Sequence, residues 1–514
     1  MRKRLSLAVA TAVTAVSVLS GTVNAASEPA RTATATASRP SDGSKDVIAN
    51  LWEWNWPSVA EECTTVLGPK GYGGVQVAPP QNSVSLDHVE GKPQHPWWEV
   101  YQPVDYTLES RMGTEKQFKA MVATCRAAGV KVYVDVVVNH MARDGHESYG
   151  GASYTHYDYP GLYGPADFHT YPDDCPVQPP ADSADENTIR NYNDYRQVTQ
   201  CELLRLADLR TETPRVRKQI AAYLNKLIRY GVSGFRVDAA KHVGQSDLAA
   251  IIGRLDRTVD GEKPYVALEV FPGPGALSPF AFHDQGSLLG IDYAYQIKDT
   301  FKSYDGGDGN ITALRTLGER SGLLPGDKSL VFVQNHDSER GDTTLSYRDA
   351  DTNLLANKFM LAYGYGRPQV YASYAFDGLA TDSPPSDAKG FVTDTDCDAG
   401  WACVDRDTGV ANMVAWHNHV GDAKLRNWYD DGANLLAFSR GGKGWIAVNN
   451  HRTARTATFR TGLPGGTYCD VTHGALTHGK CTGPTVEVNR HGEARVTVAA
   501  KDTVAFTDED LVRR

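Results

Sequence analysis

The chain has no long run of positive charge, and its net charge at pH 7 is −10. That argues against nucleic acid and anionic membrane as partners, since both are held by clustered Lys and Arg. It has no Cys-x-x-Cys pair and no His-Glu-x-x-His, so thiolate zinc and metalloprotease chemistry are not indicated. Long apolar stretches are missing too, save one. Arg2-Lys3-Arg4 precedes an Ala/Val/Leu-rich segment from Leu5 to about Leu19, followed by Gly21 and the small-residue site Val23-Asn24-Ala25. This segment is short for a membrane span and has the three parts of an export signal. Residues 1–25 are therefore expected to be a signal peptide and the mature protein to be secreted, with no membrane partner. Residues 26–45, rich in Ala, Thr, Ser and Pro, are expected to be a disordered leader.

Eight cysteines, an even number in an exported chain, point to disulfides. Cys397/Cys403 and Cys469/Cys481 are close enough to pair locally, Cys175/Cys201 would close a medium loop, and Cys63 is left with Cys125. Proximity is only a guide among the 105 possible pairings.

From about 46 to 417, strand-like and helix-like segments alternate. Strands are expected at Val47–Trp54, Gly74–Ala78, Lys131–Val138, Gly234–Ala239, Tyr265–Val270, Ser329–Val333 and Gln369–Ala372, with a weaker eighth at Ile291–Tyr295. Between them the helical pattern is clearest at 214–230, where Thr213 can cap, Pro214 suits the first turn and Gly231 ends the run. Apolar strands alternating with helices give a parallel sheet covered on both faces, and about eight such units give a (β/α)8 barrel. The expected domains are a barrel over 46–139 and 208–424, an inserted irregular subdomain over 140–207, and an all-β sandwich over 425–514.

Three of the strand-like segments end in a carboxylate: Asp238 in Gly234-Phe-Arg-Val-Asp, Glu269 in Val266-Ala-Leu-Glu, and Asp337 in Phe332-Val-Gln-Asn-His-Asp. Strand ends are where a parallel barrel carries its chemistry, and two carboxylates flanking a bond with a third nearby suit glycoside hydrolysis. Arg236, two residues before Asp238, shares its face and would keep it ionised, although such a pair can equally be a stabilising ion pair. Burial in an apolar strand would raise Glu269, although a lone Glu in an apolar run is more often a paired buried acid than a catalyst. Asn335 and Asp337 repeat the two-residue spacing on a third strand. A fourth strand end, Asp135-Val-Val-Val-Asn139-His140, offers an amide oxygen of the hard type that Ca²⁺ prefers, and Asp208 could add a carboxylate where the insertion rejoins the barrel; the alternative is an Asn capping a loop and a solvated Asp. Pro96-Trp97-Trp98-Glu-Val-Tyr101-Gln102 places adjacent aromatics in one loop, either a stacking platform for sugar rings or a packed anchor.

The segments Asp135–His140, Gly234–His242, Glu269-Val270 and Phe332–Asp337 resemble, in order, the four signature regions of the α-amylase family. Gly73-Gly-Val-Gln-Val-Ala-Pro-Pro80, Trp97-Trp98 and Asn427-Trp-Tyr-Asp-Asp-Gly432 resemble its animal-type branch as found in secreted actinomycete enzymes. The resemblance implies that Asp238 is the nucleophile, Glu269 the acid/base and Asp337 the third carboxylate of a retaining mechanism. Trp97, Trp98, Tyr101, Gln102, His140, Arg236, Lys241 and His336 match substrate contacts. Asn139 and Asp208, with the main-chain carbonyls of Thr199 and His242, match the ligands of one structural calcium ion. It implies starch, glycogen and maltooligosaccharides as partners of a monomeric, endo-acting hydrolase. An exo-acting or transglycosylating relative, or a non-catalytic glucan-binding protein, is the alternative.

Two departures stand out. Arg236 and Asn335 match two ligands of the chloride that animal-type members bind, but the third position falls on neutral Gln369, so chloride is expected not to be required. The cysteine expected near Leu108–Ser110 is absent.

Overall fold

Short Val- and Leu-rich segments become eight parallel strands in a computed structural model that describes residues 45–512, apart from 90–91, 94, 144–146, 178–186, 304–306 and 377–381. The expected export signal and nearly all of the leader lie outside the described residues. The strands are β1 (Ile48–Leu51), β2 (Gly74–Val77), β3 (Lys131–Val136), β4 (Gly234–Val237), β5 (Tyr265–Leu268), β6 (Ser287–Leu289), β7 (Ser329–Phe332) and β8 (Arg367–Tyr374). They pair in chain order, and β8 returns to β1 with Gln369 opposite Ile48, which closes the barrel. Closure buries both faces of every strand, so runs such as Gly-Val-Gln-Val lack the alternation of a half-exposed sheet.

One expectation fails here. Ile291–Tyr295 is not a strand but the start of the helix α1 (Ile291–Phe301), which buries Ile291, Ala294, Ile297 and Phe301 on a three-to-four-residue period. The strand in question is β6, three residues long and just upstream, with Gly290 at the boundary. The helix over Pro214–Arg229 does form: the Thr213 hydroxyl accepts from Val216 N, and Gly231 takes the left-handed φ of 104° that ends it.

The long connection after β3 has little regular structure among its described residues. Cys175–Cys201 staples it, with Ile189 packed against the bridge. It is sewn to the barrel by Met141 N→Ala207 O (2.9 Å) and Leu209 N→Asn139 O (3.0 Å). The other three disulfides are Cys397–Cys403 and Cys469–Cys481, as proximity suggested, and Cys63–Cys125, the pair left over.

Beyond the barrel, Leu425–Asp430, Leu435–Arg440, Gly444–Asn449 and Asp502–Thr507 form one antiparallel sheet. The pairs Arg455–Arg460/Glu493–Val498 and Gly466–Cys469/Thr485–Val488 pack on its far face. Alternation along Leu435–Arg440 divides the load. Leu436 and Phe438 join the barrel's core, while Leu435 and Ala437 fill the core of the sandwich.

Candidate active site

Four carboxyls gather around one guanidinium at the C-terminal ends of β3, β4, β5 and β7. Arg236, on β4, is buried. Its Nη1 donates to both oxygens of Asp135 (2.9 and 3.0 Å) and to Asp238 Oδ1 (2.7 Å), and its Nη2 donates to Glu269 Oε1. The other Glu269 oxygen accepts from Ala239 N at 2.8 Å. Asp337 lies near Glu269, and the neighbouring carboxyl adds to the rise that burial imposes on it. Asp238 and Glu269 are thus held on opposite arms of a single rigid group, and sequence spacing had foreseen only its bond to Asp238.

The electrostatics differ from expectation at Asp238. Burial pushes its carboxyl above the ordinary value, and the attraction of Arg236 does not fully offset this because the same guanidinium also serves Asp135 and Glu269. Burial likewise raises Glu269, against Arg236, and holds Asp337 and Asp135 at about 7. Burial has the opposite effect on imidazoles: His140 is pushed down to about 4 and His336 well below its usual range, so both are neutral at pH 7.

Asn335 and Asp337 do not lie on a strand. β7 stops at Phe332, and Asn335 caps the short helix α2 (His336–Arg340), its side chain accepting from Ser338 N. Asp337 therefore projects from a first helical turn.

These carboxyls open onto a cleft of about 950 Å³. The cleft brings together Trp97, Trp98, Tyr101, Gln102, His140, Asp238, Lys241, His242, Glu269, His336 and Asp337, while Arg236 lies beneath them. Trp97 and Trp98 lie on a 3-10 turn, Trp97–Tyr101, and both are half-buried. Gln102 accepts from Arg143 N, and His140 bonds the Tyr101 carbonyl at 3.0 Å. Sequence reasoning missed much of the remaining wall, including Tyr192, Leu203, Leu204 and Leu206 from the insertion, and Phe271 after β5. It also missed Trp52, whose indole donates to Tyr101 Oη, which in turn donates to Asp135.

Beside the cleft, Asn139 and Asp208 meet, Nδ2 to Oδ1 at 3.2 Å, both buried. The other Asp208 oxygen is bonded to His169 Nδ1 at 2.6 Å, a partner with no sequence signature. His242 Nδ1 bonds the Val198 carbonyl at 2.9 Å, which joins the short segment carrying Thr199 to the end of β4. An amide oxygen, a carboxylate and nearby carbonyls are hard donors that fit Ca²⁺ and would not suit zinc.

A family model described as "Alpha amylase, catalytic domain" matches residues 92–261, and one described as "Alpha amylase, C-terminal all-beta domain" matches 426–509. The α-amylase of Thermomonospora curvata is 44% identical over 473 residues, covering 90% of this chain and 73% of that one. Pancreatic α-amylase 2a5 of Mus musculus is 36% identical, covering 89% and 93%. A mutant of α-amylase I from Eisenia fetida, solved with maltohexaose, superposes with a TM-score of 0.83 at 35% identity, over 90% of this chain and 97% of that one. Carboxyls at the strand ends of a closed barrel, an appended β sandwich and this likeness along nearly the whole chain agree: the chain belongs to the α-amylase family.

Proposed function

We infer that this protein is an endo-acting α-amylase that hydrolyses α-1,4-glucosidic bonds of starch and related glucans with retention of configuration. The observation that carries the reading is the pair Asp238 and Glu269 on one guanidinium at the floor of a 950 Å³ cleft. Retention needs a nucleophile and an acid/base close enough to act on the same anomeric carbon. Sugar rings stack on Trp97 and Trp98 and are met by Tyr101, Gln102 and Lys241. Glu269 delivers a proton to the leaving oxygen, and Asp238 attacks the anomeric carbon to form a glycosyl-enzyme. Glu269 then takes a proton from the water that releases it. Asp337, near Glu269 in the free protein, meets sugar hydroxyls. Neutral His140 and His336 supply uncharged hydrogen bonds at the cleaved sugar.

Asn139, Asp208 and the carbonyls of Thr199 and His242 hold one Ca²⁺, which supplies a structural tie between the insertion and the barrel. Chloride is not required: the Gln369 amide carries no charge and donates to Gln76 Oε1 at 2.8 Å. Export through the N-terminal signal and a monomeric state complete the proposal, and the four disulfides suit an oxidising compartment.

The test is proton NMR of the purified protein acting on soluble starch with calcium. Early α-anomeric maltooligosaccharides of mixed length are expected. Early β-anomeric product would overturn Asp238 as nucleophile, and a single product length would favour the exo-acting alternative.

A further inference from the structure

Where β1 ends, the chain turns through Glu53, whose φ of 59° lies in the left-handed region that residues other than Gly rarely enter. Its side chain is completely buried and neither carboxyl oxygen has a hydrogen-bond partner. A charge left in that state is costly, so the group keeps its proton. Burial pushes it up to about 8, against Arg111 and Arg340 and aided by Glu99.

The two guanidinia are not equivalent. Arg111 is committed: it donates to the carbonyls of His95, Pro96 and Gly390 and to the hydroxyls of Ser383 and Ser386, and pairs with Glu99 at 3.4 Å. Arg340, at the end of α2, uses only Nη1, toward His336 O (2.9 Å) and Glu339 Oε1 (3.1 Å). Its Nε and Nη2 are buried and make no well-formed hydrogen bond, although the Tyr374 phenol lies close enough to interact. The guanidinium lies instead over the rings of Trp52 (4.7 Å), Trp97 (5.3 Å), Tyr374 (5.2 Å) and Phe376 (4.4 Å). Trp52 stacks on His336 with ring centres 4.8 Å apart and planes 6° from parallel, and Trp97 lines the cleft.

We propose that Glu53 is a positioning residue for the sugar-binding wall. Its uncharged carboxyl leaves Arg340 seated among the aromatic rings that set the planes of Trp52, Trp97 and His336. Once charged, it draws the free edge of that guanidinium away from them. The charged and titratable groups facing Glu53 are Arg111, Arg340, Glu99 and Tyr374, from the segment after β2, from α2, from the 3-10 turn and from the end of β8. Glu339, on the other side of Arg340, is raised by burial to about 7, so the test must isolate Glu53 by substitution. The proposal rests on Trp97 and His336 contacting sugar, and the first readout is independent of that reading.

That readout is the near-ultraviolet circular dichroism of tryptophan in the free protein, between about pH 6 and pH 10. The wild type is expected to titrate near pH 8 and Glu53→Gln to lack that step. Should Glu53→Gln fail to fold, Arg340→Met must abolish the same step in folded protein. The second readout is maltohexaose affinity in a Glu269→Gln background. Affinity is expected to weaken about two- to five-fold across the step, the worth of one cation–π contact, and adding Glu53→Gln should remove that loss. Glu53→Ala should raise KM more than it lowers kcat, with Glu53→Gln close to wild type at pH 6. Identical dichroism titrations in wild type and Glu53→Gln would overturn the proposal. Maltohexaose that failed to bind at any pH would overturn the sugar-wall reading, with the dichroism still deciding the role of Glu53.

Discussion

At the scale of single residues, the site is dominated by the competition of four carboxyls for Arg236. Replacing Glu269 by Gln keeps the shape and the acceptor for Ala239 N but removes the transferable proton. It should lower kcat on starch roughly 10²–10⁴-fold, the usual worth of a general acid–base, with maltooligosaccharide binding retained. Asp238→Asn should cost more, on the order of 10⁴-fold, because an amide cannot replace the carboxylate that forms the covalent intermediate. Retained hydrolysis in Asp238→Asn, measured by reducing-sugar release, would sink the mechanism. Gln369 carries a different prediction. Activity should be unchanged after dialysis into chloride-free buffer, whereas Gln369→Lys, which puts a cation in that buried position, should make activity respond to added NaCl. A collapse of wild-type activity in chloride-free buffer would refute the first half.

At the scale of elements, legibility followed periodicity. Strands β1 to β5, β7 and β8 were readable because β-branched runs ended in polar residues, and those ends carried Asp238 and Glu269 into view. Three-residue β6 was too short to have a pattern, and its neighbour Ile291 began a helix whose first residues also suit a strand. The cleft wall formed by Tyr192, Leu203 and Leu204 was illegible because the insertion has no repeat for burial to follow. Glu53 carries no signal of its own within the expected strand Val47–Trp54; only the fold reveals its neighbours. The insertion also yields a prediction. Cys175–Cys201 closes a loop of 26 residues in the segment that presents Thr199. Chain entropy makes that closure worth roughly 3–4 kcal/mol. The double variant Cys175→Ala/Cys201→Ala should therefore lose activity at lower EDTA concentrations than the wild type, while the barrel's far-ultraviolet dichroism stays. Equal EDTA sensitivity would show that the staple does not support the calcium site.

At the scale of the whole molecule, buried and paired carboxyls oppose each other in pH. Glu53 is raised to about 8, and Asp135, Asp337 and Glu339 to about 7, all mainly by burial. Each binds its proton more tightly folded than unfolded. Their stabilising contribution is complete below the unfolded value, near 4, and is lost as pH rises toward 7 and 8. Other carboxyls are lowered despite partial burial: Glu115 by Lys226 and Tyr230, Asp308 by Lys501 and Arg452, and Asp431 by His451. Their contribution is present above the unfolded value and lost as pH falls through the lowered one. The two sets together put maximum stability close to the unfolded carboxyl value, at about pH 4 to 5, with a fall on both sides. The measurement is the thermal midpoint from about pH 3 to pH 9 in excess calcium, so that the protonation of Asp208 is held out of the comparison. Glu53→Gln should flatten the alkaline side between 7 and 8, because an amide buried there has no proton to lose. A wild-type midpoint that climbed steadily from pH 5 to pH 9 would mean that these carboxyls ionise in the fold, and that Arg236, Arg340 and Arg111 compensate them more fully than the geometry allows.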